Sequence, residues 1–445
     1  MIFPIRNFFL RKCLTLRSGY LALVALGSLL LPMQSQAVPA FARQTGQNCV
    51  ACHAGGQFPE LTPYGRLFKL TGYTIGTRTV PLSVMGVVTS SSIANAPAGT
   101  AKSSEPIFAT SSLFIAGKIT DNIGTFTQIT YDPYAVDNGD GSFSGHTNAD
   151  NIDIRFADHV VADKQDWIYG VSLNNHPSVT DPWNTVAAWT QYVPVPSPSS
   201  SQFIDGTAPF PDFPWDDNVA GVNAYVYWNR TIYADVGMYR TADRAFSFLS
   251  AGINPRLQLS GSNPYWRVAL SREWGPHNLM VGTSGMVANV YDDPTDISDP
   301  ATVSQYRSQG FDAQYQYLLD PHTVTAQLAY MKTEHIYSDA VNETLTNPGF
   351  SDTNTTTRAK LTYTYQAKYG GSVSAFNMTG TTNNQSDPST SGMTYEAFFI
   401  PKQNVRIGAQ YTTYNTYQGA SSNYDGAGRN ASDNNSMFLY VWFAY

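Results

Sequence analysis

The sequence predicts an all-β protein: an antiparallel transmembrane β-barrel of about sixteen strands, with a short α-helical segment ahead of it as a plug. Three observations point there. Beyond residue 80, several segments alternate apolar and polar side chains at period two. Their connections alternate between tight turns and long polar loops, the length segregation of bacterial outer-membrane barrels, whose turns are periplasmic and whose loops are extracellular. The same region has no apolar run long enough for a transmembrane helix, yet it is rich in Tyr, Phe, Trp, Thr, Gly and Asn and poor in charge, which is β composition.

Residues 1–37 read as a secretory signal peptide. Arg6, Arg11, Lys12 and Arg17 supply a positive start, Leu21 to Leu31 a short apolar core, and Ser35-Gln36-Ala37 a small-x-small cleavage site. The formal charge of −7 becomes −11 once these four cations leave. So acidic a chain, without a basic patch, is unsuited to nucleic acid, which is bound by Lys and Arg on phosphates.

Residues 38–80 form the second expected unit. Cys49-Val50-Ala51-Cys52-His53 is a C-x-x-C-H run. In a c-type haem site two thiols add to the two vinyl groups on one porphyrin edge, and the following imidazole ligates the iron as proximal ligand. Cys49 and Cys52 are therefore the expected anchors of one covalent haem c, and His53 its iron ligand. A zinc half-site, a thioredoxin-like pair and a plain disulfide are the competing readings. Zinc wants four ligands, and the third cysteine, Cys13, lies in the leader. Farther on, Thr62-Pro63 reads as helix N-cap and first turn, Leu67, Phe68 and Leu70 as an apolar stripe, and Gly72 as the stop. The stripe is expected to pack on the barrel wall. About forty residues are too few for an independent core, so this segment must lean on the barrel.

Residues 81–445 are the expected barrel. Strands are read near 82–90, 106–119, 121–132, 149–161, 166–175, 217–228, 231–240, 265–273, 278–291, 305–318, 322–334, 354–367, 370–380, 391–400, 404–415 and 435–445. Tight turns are expected at Asp121-Asn122, Lys164-Gln165, Asn229-Arg230, Pro276-His277, Asp320-Pro321, Gly370-Gly371 and Lys402-Gln403, and long loops at 133–148, 292–304, 335–353 and 416–434. The longest connection, 176–216, carries Asp181-Pro182-Trp183-Asn184 and a Pro/Ser-rich stretch from Val193 to Ser201; it reads either as an inward constriction or as a surface loop. The last strand ends on an aromatic, like the assembly signal of outer-membrane proteins, and is aromatic on both faces, so its inward side is not assigned by pattern. A barrel of this size encloses an aqueous channel unless filled, and the haem segment is the expected filling, in the lumen or on its periplasmic side.

Phe41-Ala42-Arg43-Gln44-Thr45-Gly46, the Cys49–His53 motif, and the run from Gln57-Phe58-Pro59-Glu60 through Leu61-Thr62-Pro63-Tyr64-Gly65-Arg66 to Tyr73 together resemble the fused monohaem cytochrome-porins of the outer membrane, the iron oxidases of iron-oxidising bacteria. Asn174-Asn175-His176-Pro177 and Asp181-Pro182-Trp183-Asn184 look like that family's barrel motif; the rest matches in architecture. The resemblance implies the haem site at Cys49, Cys52 and His53. It also implies an electron path from an extracellular donor, Fe(II) in the well-known members, to a periplasmic electron carrier such as a cytochrome c or a copper protein. The alternatives are a conduit for a different donor or acceptor, and a solute porin with a structural haem.

Electron transfer needs no catalytic acid or base; the protein tunes ligand, hydrogen bonding, burial and charge. Val38 to Val80 contains no Met and no second His, so a sixth ligand of either kind would come from the barrel. His146, His159, His176, His277, His322 and His335 are the histidine candidates, with His176 a weak first choice. Arg43, Arg66, Arg155, Lys360 and Arg406 are candidates to pair with haem propionates. Asp137 with Asp140, and Asp292, Asp293, Asp296 and Asp299, offer hard oxygens that Fe(II) accepts, although solvated loop charge is their default reading.

Overall fold

The computed structural model describes residues 39–56, 60–95, 106–138, 142–185, 218–252 and 257–445. The expected leader, and the loop from 186 to 217 with its Pro/Ser stretch, lie outside them. Sixteen antiparallel strands follow one another in chain order, and β1 (Leu82–Ile93) pairs with β16 (Ser436–Ala444) to shut the ring. Between them run β2 (Ile107–Lys118), β3 (Ile123–Asp137), β4 (Phe143–Ala162), β5 (Gln165–Asn174), β6 (Val219–Trp228), β7 (Ile232–Thr241) and β8 (Asn263–Trp274). The second half is β9 (His277–Tyr291), β10 (Val303–Leu319), β11 (His322–Ile336), β12 (Asp352–Tyr365), β13 (Tyr369–Gly380), β14 (Thr390–Lys402) and β15 (Val405–Thr416). Closure leaves no unpaired edge, so nearly every backbone N–H and C=O is satisfied within the wall.

The wall is inverted relative to a water-soluble barrel. Along β8, Asn263, Tyr265, Arg267, Ala269 and Ser271 are buried inside while Pro264, Trp266, Val268 and Leu270 face out. Arg267 is 0% exposed and Leu270 51%. Apolar residues outside and charges inside is the distribution that a hydrocarbon solvent selects. The same alternation settles β16: Ser436, Phe438 and Ala444 point in, and Met437, Leu439, Val441 and Phe443 out.

Connections from even to odd strands are tight, and the others are longer, as the pattern predicts. Asp163-Lys164 makes its hairpin with both residues in left-handed backbone, φ 50° and 63°, the I′ geometry that matches strand twist. The turns expected at Lys164-Gln165, Pro276-His277 and Lys402-Gln403 each lie one residue away, at Asp163-Lys164, Gly275-Pro276 and Gln403-Asn404, and two expectations need larger correction. Gly370-Gly371 is not a turn but lies inside β13; the turn is Gln366-Ala367-Lys368, with φ 55° and 50° at its first two residues. The glycine is there for close approach, since a Cβ at Gly370 would stand 2.3 Å from the Phe398 ring. Nor is 133–148 all loop. Pairs such as Val136 with Ser144 continue the β3–β4 hairpin, and the rings of Tyr134 and Phe143 meet at 5.7 Å.

The N-terminal segment lies within this ring and is joined to opposite parts of it. Helix α1 (Pro39–Thr45) is pinned by Gln44, whose Nε2 donates to the carbonyls of Tyr73 (2.7 Å) and Ile75 (2.9 Å) while its Oε1 accepts from Lys118 N at the end of β2 (2.8 Å). A one-turn helix α2 (Cys49–Cys52) follows. Helix α3 (Pro63–Leu70) begins as the sequence says: Thr62 Oγ1 accepts from Gly65 N at 3.1 Å and Pro63 occupies the first turn. It ends at Gly72, φ 71°, where Tyr73 N donates to Phe68 O at 2.9 Å. Leu70, fully buried, packs with Ile168, Trp183, Tyr225 and Tyr233, so the apolar stripe meets the wall as expected.

Candidate functional site

The C-x-x-C-H turn sits at the end of the barrel that carries the tight turns. Cys49 N donates to Gln403 Oε1 (3.3 Å) and its Sγ to the Gln403 carbonyl (3.6 Å), in the β14–β15 turn. The chain then doubles back. His53 and Leu61 form an isolated antiparallel bridge, Ala54 N donates to Glu60 O at 2.8 Å, and Thr62 N to Cys52 O at 2.9 Å. Gly65 makes this fold possible, because a Cβ there would lie 2.1 Å from the Cys52 carbonyl oxygen. Residues 57–59 are outside the described residues.

Cys49 is 1% exposed, Cys52 is half-buried, and no disulfide joins them. Burial pushes the Cys49 thiol up to about 12 and Cys52 up to about 11. A redox or nucleophilic cysteine pair needs the opposite shift, toward thiolate. His53 Nδ1 is buried, and desolvation holds the ring down at about 4 against the opposing pull of Glu60. Its imidazole is therefore neutral at ordinary pH, the form that binds a metal. Two unbridged thiols on one helical turn, followed by a neutral imidazole, are the donor set that a covalent haem uses, and the residues present fit it.

The other candidates are dispersed. His176 caps a short helix α4 (Pro177–Thr180): its Nδ1 accepts from Val179 N at 3.2 Å and is paired with Ser178 Oγ, and Nε2 lies 3.0 Å from Asn151 Oδ1. It lies beyond the long-loop end of β5, whereas Cys49 lies at the tight-turn end of β14 and β15, so the structure does not bring it to His53. His146 contacts Ala251 O, His159 Asp166, His277 Tyr315 and His322 Tyr363, while His335 stacks on Tyr306 at 4.3 Å. Among the described residues no group of three or more His, Cys, Asp or Glu could hold a bare metal ion. Asp293, Asp296 and Asp299 instead accept from Thr295, Ser298 and Ala301, and Asp292 from Ser304 and Ser338; they shape their loops.

Of the cationic candidates, Arg43 donates to Leu82 O. Arg66 holds Leu61 O (2.7 Å), Gln316 Oε1 (3.1 Å) and Asn278 Oδ1 (3.0 Å). Arg155 bridges Asp153 at 2.6 Å. Only Lys360 and Arg406, on β12 and β15, border the chain immediately after His53. Lys360 Nζ is 3.2 Å from Glu60 Oε1, and Arg406 Nη2 is 2.9 Å from Glu396 Oε1.

Sequence reading missed how the start of the long connection is used. Residues His176 to Thr185 turn into the lumen and bind both wall and plug. Arg267 donates twice to Asp312 at 2.8 Å and stands 3.3 Å from Asp181; Arg155 donates to Thr180 O and Lys69 Nζ to Asp181 O, both at 2.9 Å. Trp183, 1% exposed, packs edge-on against Tyr233 at 5.4 Å. The Asp-Pro-Trp-Asn motif was the available signal. Of the two readings open for this connection, the inward one holds for its described residues.

No family model matches the chain, and no curated protein matches it in sequence. Among solved structures, OmpF of Salmonella typhi in complex with daunomycin is similar at 12% identity, covering 82% of this chain and 97% of its own, with a TM-score of 0.44. The outer-membrane channel DcaP of Acinetobacter baumannii gives 11%, 82%, 96% and 0.44. In-vitro folded OmpT of Vibrio cholerae gives 10%, 82%, 96% and 0.41.

Proposed function

We propose that this chain is a monohaem electron-transfer protein of the bacterial outer membrane, which takes electrons from an extracellular donor, Fe(II), and passes them through one covalent haem c to a periplasmic carrier. The observation that carries the reading is the Cys49–Cys52–His53 turn, with unbridged thiols and a neutral imidazole, built into the lumen of a barrel that is apolar outside. When bound, the haem supplies a one-electron iron couple. Cys49 and Cys52 would hold it through Sγ, and His53 through the imidazole. Gln403 and Gly65 fix the turn that presents them, and Lys69, Arg155 and Arg267 keep the plug and the inward loop in place around it.

The test is a haem stain and a reduced-minus-oxidised spectrum on an outer-membrane fraction, with and without Fe(II). A covalent haem band reduced by Fe(II) at the working pH is expected. Haem that Fe(II) cannot reduce would remove iron as the donor, and a chain without haem would remove the reading altogether.

A further inference from the structure

The outward face of the strands is largely apolar, and two cations that interrupt it stand side by side. On β10 the outward positions run from Tyr317 through Phe311 to Gln309 and Arg307; on β11 they run from Val324 through Leu328 and Tyr330 to Lys332. Arg307 and Lys332 are exposed, whereas Ser308 and Met331, next to them in the chain, are buried on the lumenal side. The register sets Arg307 opposite Glu334 and Gln309 opposite Lys332, so the two cations are diagonal neighbours about 7–8 Å apart at the backbone. Side chains of that length can reach one group lying between them.

Height on the wall identifies what surrounds the pair. His277 with Tyr317 (5.2 Å) and His322 with Tyr365 (5.5 Å) make aromatic contacts at the tight-turn end, where an aromatic girdle marks one membrane interface. From Tyr317 to Arg307 a strand advances about 34 Å, or about 26 Å along the barrel axis at the usual tilt of about 40°. Outer-membrane barrels carry an apolar band about 25 Å tall. Arg307 and Lys332 therefore lie where hydrocarbon gives way to headgroups on the long-loop side.

The protein does not neutralise them. Arg240, the exposed cation at the corresponding end of β7, is bound by Asp243 at 2.9 Å. Among the described residues neither Arg307 nor Lys332 has such a carboxylate, and Glu334 accepts from Ser351 Oγ at 2.8 Å. What the wall supplies instead is orientation. Gln305 Nε2 donates to Asn289 Oδ1 at 2.8 Å, and Arg307 Nε to Gln305 Oε1 at 2.6 Å, which holds the guanidinium by its inner nitrogen and leaves the terminal pair for a ligand.

We infer that Arg307 and Lys332 form a binding site for a phosphate of an outer-leaflet glycolipid. Arginine offers phosphate a planar fork and lysine a point charge. Gln309 and Thr355, the register partners of Lys332 on either side, offer an amide and a hydroxyl to the attached sugar. The inference rests on the outer-membrane part of the proposed function and is independent of the haem.

The full chain, purified in detergent, is titrated with lipid A, with lipid A stripped of its phosphates and with phosphatidylglycerol, and bound lipid is read by native mass spectrometry. Wild type is compared with Arg307→Gln, Lys332→Gln, the double variant and Arg240→Gln, with heat-modifiable gel mobility reporting barrel folding. Removing both cations is expected to weaken lipid A binding by about tenfold or more, while Arg240→Gln leaves it unchanged. Stripped lipid A is expected to bind wild type no better than intact lipid A binds the double variant. Equal binding of lipid A by wild type and the folded double variant would overturn the assignment, and so would equal binding of intact and stripped lipid by wild type. Phosphatidylglycerol bound as tightly as lipid A would overturn the choice of an outer-leaflet glycolipid. Loss of an oligomer in the double variant with lipid binding unmoved would give the pair to a contact between copies and overturn the lipid site. Should the double variant fail to fold, the two single variants decide on the same readout. A wild-type chain that stays dissolved without detergent would instead overturn the outer-membrane reading itself.

Discussion

At the scale of single residues, the thiols and the lumenal charges make separate predictions. Replacing Cys49 and Cys52 together by Ala is expected to abolish the haem stain while the heat-modifiable barrel band persists, since the ring is held by strand pairing and not by these side chains. Arg267 is different. It is fully buried between Asp181 and Asp312, so Arg267→Met strands two carboxylates, and breaking such a pair typically costs about 3–5 kcal/mol; a lowered thermal midpoint in detergent checks this. His176 gives a pH effect. Burial lowers its pKa to about 4 from 6.5, so the folded state binds this proton less readily than the unfolded chain. Its contribution is complete above pH 6.5 and is lost as pH falls through about 4. The thermal midpoint in detergent should fall over that window, and His176→Gln should flatten the fall.

At the scale of elements, helix α3 offers a graded test. Thr62→Ala removes its N-cap and is expected to cost about 1 kcal/mol. Gly65→Ala should do more harm, because the added methyl meets the Cys52 backbone rather than a movable side chain; the two are compared by urea midpoints and by haem yield. Local chemistry made this helix legible in advance: Thr62-Pro63 and Gly72 act on their own backbone neighbours. Strand alternation was legible for the same reason. Gly370-Gly371 misled because a glycine pair marks a turn and a close approach equally well, and only Phe398, from the next strand, decides between them. Lys360 with Glu60, or Lys69 with Asp181, join residues far apart in the chain. No periodicity carries such pairs, so neither was expected from the sequence. His176 is a related case: its sequence position is beside the inward loop, but its nitrogens serve Val179 and Asn151.

At the scale of the whole molecule, a lumen crossed by the N-terminal segment and by residues 176–185 should carry little ionic current. Planar bilayers containing the full chain are expected to show small conductance, and a chain lacking residues 39–80 a several-fold larger one; a large conductance in the intact protein would favour a solute porin. The seam of the cylinder has a consequence for biogenesis. It lies between β1 and β16, and the plug leads directly into β1. The enclosed segment and the closing seam are therefore joined directly by the chain. Cys49 is 1% exposed in the closed cylinder, so if the proposed haem is attached there, thioether formation would belong to the periplasmic chain in transit, ahead of insertion.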